Sequence, residues 1–190
     1  GVLTIVATGA LAQEKTISQR QLKRFHTPEV AVTGSLRVTS DPEALALVAR
    51  IFQVYGLRMD PETFEVYVTD GGRGETATAE ALAQNGKRYI IFNRPFMDRI
   101  RRATGNDWSL ISIAAHEVQH HLLHHVEGPT PNRKLAELEA DYFAGYTLGK
   151  MGAPHDETTS AIRELPDQLG VDYPPRAKRV ATISRGWDDA

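Results

Sequence analysis

No cysteine occurs among the 190 residues. This excludes a disulfide framework, a thiolate nucleophile, a thiolate metal ligand and a lipidated N-terminal Cys, so any transition metal must sit on His and carboxylates. Also missing is a run of the roughly 20 apolar residues that a membrane-crossing helix needs, so no transmembrane segment is expected. Charge of one sign is not in excess: 22 Lys and Arg stand against 24 Asp and Glu, a net charge of −2. Without a broad cationic field, nucleic acid and anionic membrane surfaces are not expected partners. There is no internal repeat and no low-complexity tract. What is present, 41% hydrophobic and 24% charged residues, is the composition of one globular domain with one core.

Residues 2–12 read VLTIVATGALA, an apolar run ending in small residues before the polar Gln13, Glu14 and Lys15. This pattern is that of a secretory h-region and its cleavage site, so residues 1–12 read as a truncated signal-peptide remnant and the protein as exported, periplasmic or secreted. The alternative is an N-terminal strand packed into the domain. Residues 13–39 form a polar lead-in, with one short alternating piece (Val30, Val32, Leu36, Val38) that suits a strand. A single domain is expected over residues 40–190.

Ser40, Asp41, Pro42 and Glu43 supply an N-cap, an early-turn Pro and a capping-box Glu for a helix reaching about Gly56. Residues 64–68 alternate with period two, and residues 77–84 and 88–92 flank Asn85-Gly86, a dipeptide suited to a tight hairpin. From Pro95 the period becomes helical. Helices are expected over residues 95–103, over 108–126 with Asn106 or Asp107 as cap, and over 133–151 closed by Gly152. Shorter ones are expected over residues 158–169 and 176–184, and residues 127–131 read as a loop between two helices. The fold class is therefore α+β, a small antiparallel sheet followed by a helical region.

Five of the seven histidines fall in HEVQHHLLHH, residues 116–125. Residues four apart on a helix lie about 40° apart around its axis, so His116 and His120 project side by side and can share one metal ion. Glu117 points about 100° away from His116, turned too far to be a ligand but within reach of a metal-held water, as a general base. The stripe Ile111, Ala114, Val118 and Leu122 marks the core face, leaving the His pair on the other side, toward a cleft. The bland alternatives are a solvated His-rich face that binds metal only incidentally, or histidines satisfied by neighbouring carbonyls.

A catalytic zinc needs a third protein ligand and an open position. The next helix carries Glu137 and Asp141 one turn apart on one face, with Glu139 about 200° round from Glu137, toward solvent. If this helix returns antiparallel, Glu137 completes a two-His, one-Glu site, and Asp141 can accept an N–H from a ligand His and fix its tautomer. Otherwise Glu137 and Asp141 face water beside Arg133 and Lys134.

HEVQH followed by ELEADYFAG resembles the gluzincin metallopeptidases, and within them metallopeptidase family 48, relatives of the HtpX heat-shock protease and the CAAX prenyl protease. The resemblance extends over about residues 62–186 and implies a zincin-like fold, with Glu137 as third zinc ligand and Asp141 as its supporting acid. His125 matches a histidine five residues beyond the HExxH of many soluble members. ATAEALAQNGKRYIIFNRPF is similar to the family's edge strand and hairpin, which places Ala79, Glu80, Ala81, Leu82 and Ala83 along the substrate. Tyr173, Pro174, Pro175 and Arg179 are similar to a late H-P-x-x-x-x-R segment. Three residues depart from the pattern: Gln119 replaces a Gly, Glu80 an Asn and Tyr173 a His. These concern the cleft, not the metal set.

The implied activity is hydrolysis of a polypeptide substrate by one zinc ion per chain, with Glu117 as base. Oxyanion help is expected from Tyr142, Tyr173, His125 or Arg179, and His125 is also a candidate regulatory ligand. His121 and His124 read as surface residues or supports behind the ligands. The rival is a zinc-binding, chaperone-like domain with little turnover. Oligomeric state is not legible.

Overall fold

The computed structural model describes residues 14–18, 23–24, 35–71, 78–127, 130, 132–167 and 173–190. Its strands are β1 (Glu14–Ser18), β2 (Lys23–Arg24), β3 (Ser35–Ser40), β4 (Phe64–Thr69), β5 (Ala79–Gln84) and β6 (Lys87–Asn93). Its helices are α1 (Pro42–Val54), α2 (Arg94–Thr104), α3 (Trp108–Leu122), α4 (Arg133–Met151), α5 (Ser160–Glu164) and α6 (Arg176–Asp188). The chain is α+β, and among the described residues no helix is long and apolar enough to cross a membrane.

Asn85 and Gly86 take φ of +51° and +76°, the left-handed pair that a type I′ hairpin turn demands, and β5 and β6 pair antiparallel around them. β6 then inserts between β5 and β4 and runs parallel to β4, from Phe64 opposite Arg88 to Thr69 opposite Asn93. The antiparallel sheet expected from the sequence is therefore corrected to a mixed one, with strand order β1-β3-β4-β6-β5-β2. The reason lies in β6 itself. Its Tyr89, Ile90, Ile91 and Phe92 are buried on both faces, which favours the centre of the sheet and leaves β5 further out. Part of the lead-in belongs to this sheet, since β1 pairs with β3 and β2 with β5. Residues 1–12, and the strand piece at Val30 and Val32, lie outside the described residues.

Helix starts follow their caps. Asp41, rather than Ser40, accepts the Glu43 and Ala44 amides at 3.0 Å each. Asn93 accepts from Phe96 at 2.8 Å, and Asn132 accepts from Leu135 at 3.0 Å. At the start of α3 it is Asn106 that accepts from Ser109, at 2.9 Å, while Asp107 makes no capping bond. α4 closes at Gly152, whose φ is +83°. α3 ends at Leu122, four residues short of the expected Val126, because His124 takes a left-handed φ of +59° and turns the chain. α5 is shorter than expected, with residues 168 and 169 of that span outside the described ones, and α6 runs on to Asp188.

Phe64, Val66, Ile90 and Phe92 turn one face of the sheet toward α1, α3 and α4, where they meet Ile51, Val118 and Leu148. A fully buried side chain of this size contributes about 1.5–3 kcal/mol, so this layer fixes the rotation of α3 about its axis. Val38, Leu82, Tyr89 and Ile91 form a second cluster on the opposite face. α4 and α6 cross at backbone contact: a β-carbon on Gly145 would sit 2.0 Å from the Ile183 carbonyl oxygen, and one on Gly186 would sit 1.9 Å from that of Tyr142. That crossing brings the first turn of α6 onto the middle of α4.

Candidate metal centre

The i, i+4 spacing on α3 sets His116 and His120 at right angles, ring planes 88° apart, with their Nε2 atoms separated by 3.1 Å. Glu137 of α4 approaches the same point, its Oε2 lying 3.2 Å from the His116 Nε2 and its Oε1 lying 3.7 Å from the His120 Nε2. The α4 residue facing His116 from the other side is Asp141. Since His116 meets Asp141 while His120 meets Glu137, α3 and α4 run antiparallel here, as expected. A tetrahedral zinc with bonds of about 2.0–2.1 Å needs ligand atoms about 3.3 Å apart, so the three donors already have the required spread. Their relative exposures are 8%, 0% and 1% for His116, His120 and Glu137, which excludes a solvated His-rich face. These three form the group of His, Asp and Glu side chains that could hold a metal ion among the described residues.

Burying this much charge requires compensation. Asp141 Oδ1 lies 3.0 Å from the His116 Nδ1. Arg179, on the first turn of α6, grips Asp141 with both arms of its guanidinium, Nε donating to Oδ2 at 2.7 Å and Nη2 to Oδ1 at 2.8 Å. The same Nη2 is 3.4 Å from Glu137 Oε2. With His116 neutral, as a metal ligand must be, the carboxylates of Glu137 and Asp141 outnumber the one guanidinium of Arg179, an excess of negative charge that a cation would offset. Burial works against a charge on His116, but Asp141 and Glu137 outweigh it and push the imidazole up to about 10. Burial by itself raises Asp141, yet Arg179 and then His116 hold it below its ordinary value. Arg179 is in turn raised, its two carboxylate neighbours overcoming its own desolvation.

Behind His120 the contacts differ. His120 Nδ1 meets His125 Nδ1 at 2.9 Å, and His125 Nε2 lies 3.2 Å from Glu139 Oε2. His125 thus stands behind His120, on the nitrogen away from the shared point. It is neither a fourth ligand nor an oxyanion donor in this arrangement. Burial holds its pKa below the usual value despite Glu139. Glu139 is exposed, as expected, but serves as the outer end of this chain of contacts.

The remaining site residues separate clearly. Glu117 is buried on the same turn as His116. Tyr173 is half-buried, and its hydroxyl is raised by burial first and then by the charges of Glu137 and Glu117. Tyr142 turns outward, donating to Asp189 at 2.9 Å under the Arg185 guanidinium, so it is no oxyanion candidate. Arg179 is committed to Asp141. Gln119 is buried and turned toward α1, donating to the Tyr55 hydroxyl at 3.1 Å. In β5, Ala79 and Ala81 face the helices while Glu80 and Leu82 face the opposite side, so Glu80 does not point at the metal donors. Leu82 and Ala83 pair with β2, which leaves Ala79, Glu80 and Ala81 as the part of the expected substrate strand not paired on that side among the described residues.

His121 corrects the expectation that it is a surface or supporting residue. It is fully buried, its Nε2 donates to the Tyr89 carbonyl at 2.9 Å, and its ring stands edge-on to Phe64 at 4.8 Å. Desolvation lowers it to about 4, so it is a neutral core residue. The signal was present: residue 121 falls seven after Ala114 and three after Val118, on the core stripe itself. His124 is exposed and pairs with Glu127 at 2.7 Å. The roles of Glu139, Gly145 and Gly186 carried no local signal, since each depends on an element distant in sequence.

No family model matches this chain, and no curated protein or solved structure matches it.

Proposed function

We propose that the chain is a zinc-dependent endopeptidase of gluzincin type, resembling metallopeptidase family 48. The observation that carries this reading is the convergence of His116, His120 and Glu137 at tetrahedral spacing on antiparallel helices, with Glu117 on the turn of His116. Two imidazole nitrogens and one carboxylate oxygen suit zinc and leave a position for water. Zinc, when bound, lowers the pKa of a water to about 7 and polarises a carbonyl. Glu117 accepts the proton of the attacking water and passes it to the leaving amine. Tyr173, whose hydroxyl keeps its proton, donates to the carbonyl oxygen as negative charge develops there. Arg179 and Asp141 hold His116 in one tautomer and orientation. A polypeptide substrate pairs with the backbone of β5 near Ala79, Glu80 and Ala81, a mode that recognises extended chains with little sequence preference.

The second reading, a zinc-binding domain without turnover, is favoured by the near-complete burial of the donors and by β2 on Leu82 and Ala83. One experiment separates the two. Zinc content and casein cleavage are measured for the wild type beside Glu117→Gln. About one zinc per chain in both proteins, with cleavage only in the wild type, supports the peptidase. Zinc in both without cleavage in either leaves the binding domain, and equal cleavage in both refutes the assigned base.

A further inference from the structure

We propose that His125 is the positioning residue of the second metal ligand, completing a relay from the exposed carboxylate of Glu139 through His125 to His120. This rests on the metal-site reading above. For His120 to present Nε2 to a metal, its proton must be on Nδ1, and the atom facing Nδ1 at 2.9 Å is the Nδ1 of His125. His125 then accepts that proton's hydrogen bond, carries its own proton on Nε2, and donates it to Glu139 Oε2 at 3.2 Å. The tautomers of the two imidazoles follow from one another, with the Glu139 carboxylate as the final acceptor. His116 has no need of the relay, because Asp141 already faces its Nδ1. The two ligands are thus braced by different shells, a buried ion pair behind His116 and a second imidazole behind His120.

The backbone builds the relay. His124 adopts the left-handed conformation, its N–H donates to the His121 carbonyl at 3.2 Å, and the His125 N–H donates to the His120 carbonyl at 2.8 Å. This is the Schellman ending of a helix, in which the second residue past the cap folds back on the residue five before it. That contact is usually apolar; here both positions are histidine, and the fold-back presses one imidazole onto the other, centroids 5.2 Å apart. A glycine is the usual occupant of the left-handed position, and its absence is why the turn is invisible in HEVQHHLLHH.

The test is zinc affinity by chelator competition at one pH for the wild type, His125→Phe and His125→Asn. Phenylalanine keeps the ring volume but offers no acceptor, whereas the asparagine side-chain oxygen sits near the position of the lost Nδ1. The phenylalanine variant is expected to bind zinc about 10- to 100-fold more weakly, with asparagine recovering most of the loss. Nitrogen-15 spectra of the zinc-loaded wild type give a readout that needs no variant: His125 is expected to carry its proton on Nε2 and none on Nδ1. Wild-type affinity in His125→Phe, or a proton on His125 Nδ1, overturns the relay while leaving the metal site standing. A wild type that takes up no zinc overturns the metal site and the relay together.

Discussion

Replacing Arg179 by methionine removes a cation that neutralises the acids beside the candidate metal donors. Arg179 and Asp141 are both buried, joined by two short charge-assisted bonds, with a further approach of the same guanidinium to Glu137. Breaking a buried pair from one side costs about 3–5 kcal/mol, because the partner's charge is left in a medium that cannot solvate it. Glu137 loses its neighbour too, but His116, held charged by the same two acids in the metal-free protein, compensates in part, so the middle of that range is expected. Methionine is unbranched and fills much of the arginine volume, which keeps the cavity contribution small. At this chain length each kcal/mol moves the melting temperature by about 2–4 °C, so the metal-free variant should melt about 10 °C or more below the wild type. The decisive arm is the cycle completed by Asp141→Leu. If the cost is an orphaned charge, the double variant should be more stable than Arg179→Met alone, since an apolar pair can replace a buried ion pair at little net loss. Urea and thermal unfolding of the four metal-free proteins give the coupling energy. A loss under about 1 kcal/mol for Arg179→Met, or single losses that simply add in the double variant, would refute the reasoning.

Two further outcomes test how the site is supported. His121 is neutral in the fold, with a pKa lowered to about 4, whereas the unfolded chain protonates it near 6.5. As pH falls from 6.5 through 4 the unfolded state takes up the proton first, so stability present above pH 6.5 is lost, by about 3 kcal/mol in all. In His121→Leu this part of the acid limb is expected to flatten in urea titrations run at a series of pH values, and an unchanged slope contradicts the assignment. Gly145→Ala tests the α4–α6 crossing. A β-carbon 2.0 Å from the Ile183 oxygen forces the helices apart, and the expected loss of about 3 kcal/mol exceeds the roughly 1 kcal/mol that alanine gains in helix propensity. A melting temperature equal to or above that of the wild type removes the close crossing.

Much of the local order was legible because it is written in neighbours. Asp41 and Asn106 cap helices by bonding amides two or three residues ahead, and Asn85-Gly86 makes its hairpin from its own φ preferences. The errors have a common source. The parallel pairing of β4 with β6 depends on which strand can be buried on both faces. The early end of α3 depends on His124 accepting a left-handed φ without being glycine. His121 looked like one of a polar cluster, although its phase on the helix matched that of Ala114 and Val118 and its partners are Phe64 and the Tyr89 carbonyl.

By itself the sequence determined the helical phase of the candidate donors: two histidines a turn apart, an acid beside the first, and a Glu and an Asp a turn apart on the next helix. These follow from 3.6 residues per turn, a property of the chain within a few residues. Only the tertiary structure decided that the donors meet at 3.1–3.7 Å, that Arg179 neutralises the acids behind them, and that His125 stands behind His120. Those contacts join helices whose relative placement is set by the shared hydrophobic layer and by the glycine crossing of α4 and α6. Periodicity says which side of a helix a residue occupies; packing between helices says what it meets there.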